Sequence, residues 1–160
     1  MDPAKILTAD ALAAQRDALD RAGQRLVFTN GCFDLLHVGH VRYLQAARDA
    51  GYALAVGLNG DASVRALKGP GRPLNSAADR AEILAALACV DFVTVFEDPR
   101  ATGLLARVRP HVYVKGGDYT LETLHAEERA VLLDIGARIM FVPTVPGRST
   151  TRLVEAMQKS

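Results

Sequence analysis

Residues 26–40, LVFTNGCFDLLHVGH, decide the fold of this 160-residue chain. Leu26 to Thr29 form a short apolar run suited to a buried strand, and a helix is expected from Val38 onward. Gly31 and Gly39 flank the passage between them, so a strand feeds through a tight turn into the first turn of a helix. Such a junction is an anion site by geometry. Free backbone N–H groups and the positive end of the helix dipole face the turn, and glycine lets a phosphate approach closely. His37 and His40, three residues apart, can share one helical face there and add two donors.

Working outward, Thr8 can cap a helix running to about Ala22 and ended by Gly23. On the other side, the helix from Val38 to Ala50 carries Val41, Leu44 and Ala47 or Arg48 at helical spacing and stops at Gly51. A strand over Ala53 to Leu58, a short helix around Asp61 to Leu67, the Gly/Pro-rich loop LKGPGRPLN and a helix over Ala77 to Ala88 follow. Strand Phe92 to Phe96, helix Pro99 to Val108, strand Val112 to Val114, helix Leu124 to Ile135, strand Arg138 to Val142 and helix Thr150 to Gln158 complete the chain. Five short apolar strands separated by helices predict an α/β fold: a Rossmann-like, doubly wound sheet of five parallel strands with helices on both faces. Ligands then belong at the carboxyl ends of the strands.

With 49% hydrophobic and 23% charged residues, one domain with an ample core is expected, residues 1–24 forming an N-terminal helical extension and residues 25–160 the core. Nineteen Lys plus Arg against eighteen Asp plus Glu, no Trp and 6% aromatic residues provide neither a basic groove nor a stacking platform, which argues against a nucleic-acid partner. Cys32 and Cys89 lack paired spacing, and no apolar run is long enough for a signal peptide or a membrane span, so a cytoplasmic protein without a membrane partner is expected.

An HxGH string alone is explained as readily by helix capping as by catalysis. Here, however, Gly31, Phe33, Asp34, His37, Gly39 and His40 meet every fixed position of GxFDxxHxGH. The segment resembles the cytidylyltransferase-like branch of the HxGH nucleotidyltransferases. That resemblance implies that His37 and His40 bind a nucleoside triphosphate and stabilise the charge of departing pyrophosphate, with Lys68 reaching the β- or γ-phosphate. It also implies nucleotide contacts from Asn30, Gly31, Cys32, Phe33, Gly39 and His40. Asp34 would orient the acceptor or its loop, or serve an Asx-type turn. Cys32 lacks the partners of a nucleophile and is expected to pack.

Three further pieces are expected at the site. Arg80, in ADRAEIL, matches an arginine that related enzymes keep near the acceptor or phosphates, and reads equally as an exposed helix arginine. VKGGDY places Lys115, Gly116, Gly117 and Asp118 at a strand's carboxyl end, where they can meet nucleotide. GRSTT offers Ser149, Thr150 and Thr151, which can cap the last helix and hold phosphate oxygens. It resembles RTxGISTT of the cytidylyltransferases, but Thr144 stands where their leading arginine would. Together with LNGDAS and LKGPGRPLN, these segments are similar to the D-glycero-β-D-manno-heptose 1-phosphate adenylyltransferases from Leu26 to Met157. The resemblance implies ATP as substrate and Mg2+ as cofactor, no defined metal ligands, and ADP-heptose as a product for the lipopolysaccharide inner core. It further implies a pathway kinase and a phosphatase on separate chains, and allows a homodimer. A glycerol-3-phosphate cytidylyltransferase and a non-catalytic nucleotide-binding domain are the rival readings.

Overall fold

Alternate residues of the two innermost strands enter different cores, and both cores are apolar. On β1 (Leu26–Gly31) and β2 (Ala53–Asn59), Leu26, Phe28, Ala53 and Ala55 pack on one side while Val27, Leu54, Val56 and Leu58 pack on the other. A strand buried on both faces needs helices above and below it, and the computed structural model, which describes residues 3–143, 146–147 and 149–158, supplies them. On the first face α2 (Val38–Arg48) contributes Leu44 and Ala47, and α4 (Ala77–Ala85) contributes Ala81, Leu84 and Ala85. On the second, Leu12 comes from α1 (Ala9–Arg21), Leu104, Leu105 and Val108 from α5 (Thr102–Val108), and Leu132 from α6 (Ala126–Asp134).

With β3 (Phe92–Phe96), β4 (Val112–Gly116) and β5 (Arg138–Val142), the strands form one parallel sheet of order β3-β2-β1-β4-β5. The expected five-stranded parallel α/β sheet is borne out. The order reverses between β1 and β4, so their carboxyl ends open the crevice that such sheets use for ligands. The short α3 (Asp61–Lys68) and the last helix α7 (Thr150–Gln158) flank that end.

Several expected boundaries shift for identifiable reasons. β1 runs past Thr29 because Asn30 and Gly31 still pair with Gly57 and Leu58, and β4 runs past Val114 because Lys115 and Gly116 pair with Phe141 and Val142. α5 begins at Thr102 rather than Pro99, the Asp98 carbonyl accepting from Ser63 Oγ instead of entering a helix. α6 begins at Ala126 because Leu124 closes a turn on Thr120 and His125 Nδ1 caps the helix. Val41, expected on the inner stripe of α2, is 41% exposed; Leu44 and Ala47 carry that stripe. The N-terminal helix, capped by Thr8 as expected, packs through Leu12 into the second core, and Arg16 Nε donates to the carbonyl of Arg109 at 2.9 Å. Among the described residues no helix is long and apolar enough to cross a membrane.

Candidate active site

β1 delivers the chain into the turn, and the two histidines close it. His37 is the N-cap of α2, its Nδ1 accepting the Gly39 N–H at 3.1 Å, while His40 Nδ1 accepts the N–H of His37 at 3.3 Å. The arrangement is a capping box in which imidazoles replace the usual hydroxyl and carboxylate. It satisfies two of the orphan N–H groups at the helix start, and it has a chemical consequence. With Nδ1 of each ring engaged as an acceptor, the proton of the neutral ring sits on Nε2. The rings lie 3.9 Å apart between centroids and tilted by 30°, and Phe33 meets His40 edge-on at 5.5 Å. Phe33 reaches that place with φ at 44°, a left-handed conformation that a non-glycine residue adopts at some cost. A Cβ on Gly31 would lie 3.0 Å from the Phe33 ring, so glycine there lets the ring pack closely.

Burial, then the neighbouring His37 and Lys68, push the His40 imidazolium down to about 4, so the ring is neutral near pH 7. Cys32 is a free thiol, and burial pushes its ionisation above the usual range. A thiol held protonated is a poor nucleophile, in keeping with the packing role expected for Cys32.

Around the turn, a cavity of about 470 Å³ is lined by Asn30, Gly31, Cys32, Phe33 and Asp34 from the motif, by His37, Gly39, His40 and Tyr43, and by Lys68, Lys115 and Gly116. Val142, Pro143, Ser149, Thr150 and Thr151 close its far side. Thr150 Oγ1 donates to the Leu35 carbonyl at 3.1 Å, tying the start of α7 to the motif across 115 residues of sequence. Ser149 Oγ caps α7 through the Arg152 N–H at 3.2 Å. A second cavity of about 440 Å³ shares Asn30, Gly31, Cys32 and Lys115 with the first and extends to Asn59, Arg100, Tyr119, Thr123, His125 and Glu128. His37, His40 and Lys68 do not line it.

Residues 28–156 match the model of the family described as Cytidylyltransferase-like. The chain belongs to the cytidylyltransferase-like family. It is 55% identical over 155 residues to a protein of Geotalea uraniireducens named bifunctional protein HldE, covering 97% of this chain and 31% of that protein. A protein of the same name from Geobacter sulfurreducens is 51% identical over 157 residues, covering 98% and 32% respectively. The chain thus spans about a third of the length of these relatives. In three dimensions it resembles a lipopolysaccharide core biosynthesis protein of Thermoplasma volcanium, with a TM-score of 0.63 at 22% identity, covering 77% of this chain and 98% of that one. It also resembles the pantoate-beta-alanine ligase of Francisella tularensis, with a TM-score of 0.61 at 16% identity, covering 91% and 68%. These two likenesses concern the fold.

Set in this cytidylyltransferase-like frame, three of the expected site residues fall elsewhere. Arg80 lies wholly inside, 1% exposed, and lines neither cavity. Its guanidinium donates to the carbonyls of Cys32, Asn59 and Asn75 at 2.6, 2.9 and 3.0 Å and to Asp61 at 2.9 Å, so it braces the motif loop instead of meeting a ligand. Gly117 and Asp118 also lie outside both linings. The Gly117 N–H is taken by the Val142 carbonyl at 3.0 Å, extending the β4–β5 pairing, and its φ of 111° turns the chain away. Thr144 and Arg148 lie outside the described residues.

Asp34 lines the first cavity but its carboxylate is turned to the loop. It accepts from Arg72 at 2.9 Å and from the N–H groups of Leu74 and Asn75 at 2.8 and 3.2 Å. Burial opposes its ionisation, yet these donors outweigh that and hold the carboxyl below the usual range. Of its two expected roles, ordering the loop is the one its contacts serve.

Sequence reasoning missed Tyr43, Arg72, Tyr113 and the outer members of the second cavity. Tyr43 is hydrogen-bonded to Thr29 and donates to the Val114 carbonyl at 3.0 Å, and burial pushes its hydroxyl up to about 12. It joins α2 to both central strands, close enough that a side chain on Gly116 would collide with it. Tyr113 donates to Asn30 Oδ1 at 2.8 Å, which leaves the Asn30 amide nitrogen as its donor end. Tyr43 stands three residues after His40 on α2, a helical spacing that could have signalled it; Tyr113, inside an apolar strand, gave no sign.

Proposed function

We propose that this chain is an adenylyltransferase that joins the α-phosphate of ATP to D-glycero-β-D-manno-heptose 1-phosphate, yielding ADP-heptose and pyrophosphate. The observation that carries the reading is the imidazole capping box: two Nε2–H donors held at a helix start, in one cavity with Lys68 and the Ser149–Thr151 hydroxyls. Phosphoryl transfer asks a protein mainly for positioning and for fixed donors aimed at oxygens that gain charge. An acceptor phosphate oxygen bonds to the α-phosphorus as the bond to the bridging oxygen breaks, and the electron pair departs with pyrophosphate against His37, His40 and Lys68. The acceptor, already ionised, requires no base. The second cavity suits the acceptor because it meets the first at Asn30–Cys32 and Lys115 but lacks His37, His40 and Lys68. A sugar phosphate there approaches the α-phosphorus from the side away from the imidazoles, as in-line displacement demands.

The heptose acceptor and adenine rest on the likeness of residues 26–157 to the heptose 1-phosphate adenylyltransferases, and the relatives named HldE match this same span at about 50% identity. We place the reaction in the cytoplasm, in residues 25–160 acting as one catalytic unit buttressed by α1. A pathway kinase on a separate chain finds no support in those relatives, which are called bifunctional and are about three times as long. Among the described residues no three His, Cys, Asp or Glu side chains group so as to hold a metal ion by themselves, and Mg2+ characteristically relies on substrate phosphates for much of its coordination. Magnesium therefore enters the assay as the metal–triphosphate complex.

Pyrophosphate release should be measured with ATP or CTP, each paired with the heptose 1-phosphate or glycerol 3-phosphate. Turnover confined to ATP with the heptose is expected. Turnover confined to CTP with glycerol phosphate would replace the reading, and silence in all four pairs would refute it.

The depressed His40 supplies an independent check on the triphosphate subsite. An imidazolium pushed down to about 4 by burial is unprotonated near neutrality, and a polyanion beside it raises its affinity for a proton. Binding is then coupled to proton uptake, so ATP affinity should rise as pH falls from 8 toward 6. Calorimetric titration with magnesium-saturated ATP in two buffers of different ionisation enthalpy should report net uptake of up to about one proton, abolished in His40→Asn. Equal uptake by the variant would remove His40 from the phosphate contacts.

A further inference from the structure

The buried residues of α6 are Glu128 and Leu132, four apart on one helical face, and Leu124 in the turn before the helix is buried with them, at 5%, 0% and 3% exposure. A carboxylate on an otherwise apolar inner face breaks the hydrophobic pattern, as the buried Arg80 does on α4, and such breaks concentrate at functional sites. Among the described residues no N–H or O–H donates to Glu128; its nearest cation is Lys115, with Nζ 4.0 Å from Oε2, beyond direct hydrogen-bond reach. A carboxylate offers several lone-pair positions, and those of Glu128 that the protein leaves without a donor open onto a cavity. It lines the second cavity beside Tyr119, Thr123 and His125, with Lys115 at the junction to the first.

Resting on the proposed transfer to a sugar phosphate, we propose that Glu128 selects the acceptor, its carboxylate receiving ring hydroxyls of a polyhydroxylated acceptor in the second cavity. Hydroxyl groups are the donors that this buried carboxylate lacks. A phosphate group there would meet it as a like charge, so the sugar's phosphate turns toward Lys115 and the first cavity while the ring lies against Glu128. A three-carbon phosphate fills less of the cavity and brings fewer donors, so the residue favours sugars over glycerol phosphate.

Binding tests this without relying on turnover. Calorimetric titration, with a non-hydrolysable ATP analogue present, compares the heptose 1-phosphate, its single ring-deoxy analogues, glycerol 3-phosphate and inorganic phosphate on the wild type and on Glu128→Gln. A hydrogen bond to a charged group corresponds to roughly a 10- to 100-fold change in affinity. We expect such weakening of heptose 1-phosphate in Glu128→Gln, with affinity for the ATP analogue unchanged within about twofold. We also expect at least one deoxy analogue whose loss on the wild type disappears on the variant, the non-additivity that marks direct contact. Equal losses across the whole deoxy series, or weakening of the ATP analogue in parallel, would overturn the proposal by showing that Glu128 acts only through Lys115 or packing. Failure of the wild type to prefer the sugar phosphate over inorganic phosphate would also overturn it. Absence of ADP-heptose formation, with this binding pattern intact, would instead count against the proposed reaction.

Discussion

Alanine in place of His40 is expected to lower the rate of pyrophosphate release by about 10²- to 10³-fold, the range found when one fixed donor to a developing oxyanion is removed. Three observations put the loss in catalysis and not in the fold. The ring's Nδ1 accepts the His37 N–H, which aims Nε2–H and fixes the tautomer. The residue is only partly buried, and its ring packs against His37 at 3.9 Å and edge-on against Phe33 at 5.5 Å, ring contacts worth about 0.5–1.5 kcal/mol each. Its neutral state near pH 7 means that the fold does not lean on a His40 ion pair for stability. Because the contact strengthens as charge builds on the leaving group, kcat should fall more than KM for ATP rises. The measurement is steady-state turnover beside a thermal melt of the same preparation. Turnover near that of the wild type, or a loss matched by unfolding, would remove His40 from the chemistry.

What the sequence made legible follows from how local each feature is. The capping turn is written in consecutive residues, because the strand end, the glycine and both histidines lie between Asn30 and His40. The apolar runs of β1 and β2 announce strands buried on both faces, and the strand order needed only parallel pairing and short crossovers. Lys68, which only the family resemblance singled out, and Ser149–Thr151, which capping chemistry also marked, line the first cavity. Residues whose role depends on distant parts of the chain were harder to place. Arg80 looks like an ordinary helix arginine, since the carbonyl of Cys32 that it holds lies 48 positions away. Asp34 finds its donors about 40 positions downstream, in a loop whose path no periodicity describes. Glu128 is a different case: the helix that carries it was legible, but an acidic residue in the first turn of a helix is also what the helix dipole favours. Only burial separates the two meanings.

Arg80 is where the second large effect is expected. Four of its five N–H donors are committed: three to main-chain carbonyls of residues 32, 59 and 75 and one to Asp61. Those carbonyls belong to the motif turn, the end of β2 and the segment leading into α4, so one side chain joins three pieces of chain around the site. Truncation to alanine removes the donors, leaves buried acceptors unpaired and opens a void in the sheet's first core, a combination expected to cost about 3–5 kcal/mol. The Asp61 pair adds little to that figure because the Asp61 side chain is 42% exposed. Arg80→Ala should therefore show a large drop in the urea midpoint. Arg80→Lys should recover part of it at most, since an ammonium cannot reproduce the fork of the guanidinium. If Arg80 instead met a substrate, both variants would keep the wild-type midpoint and lose affinity for one ligand alone. Urea denaturation alongside ATP-analogue titration separates the outcomes, and a normal midpoint in Arg80→Ala would return the residue to the binding site from which its burial excludes it.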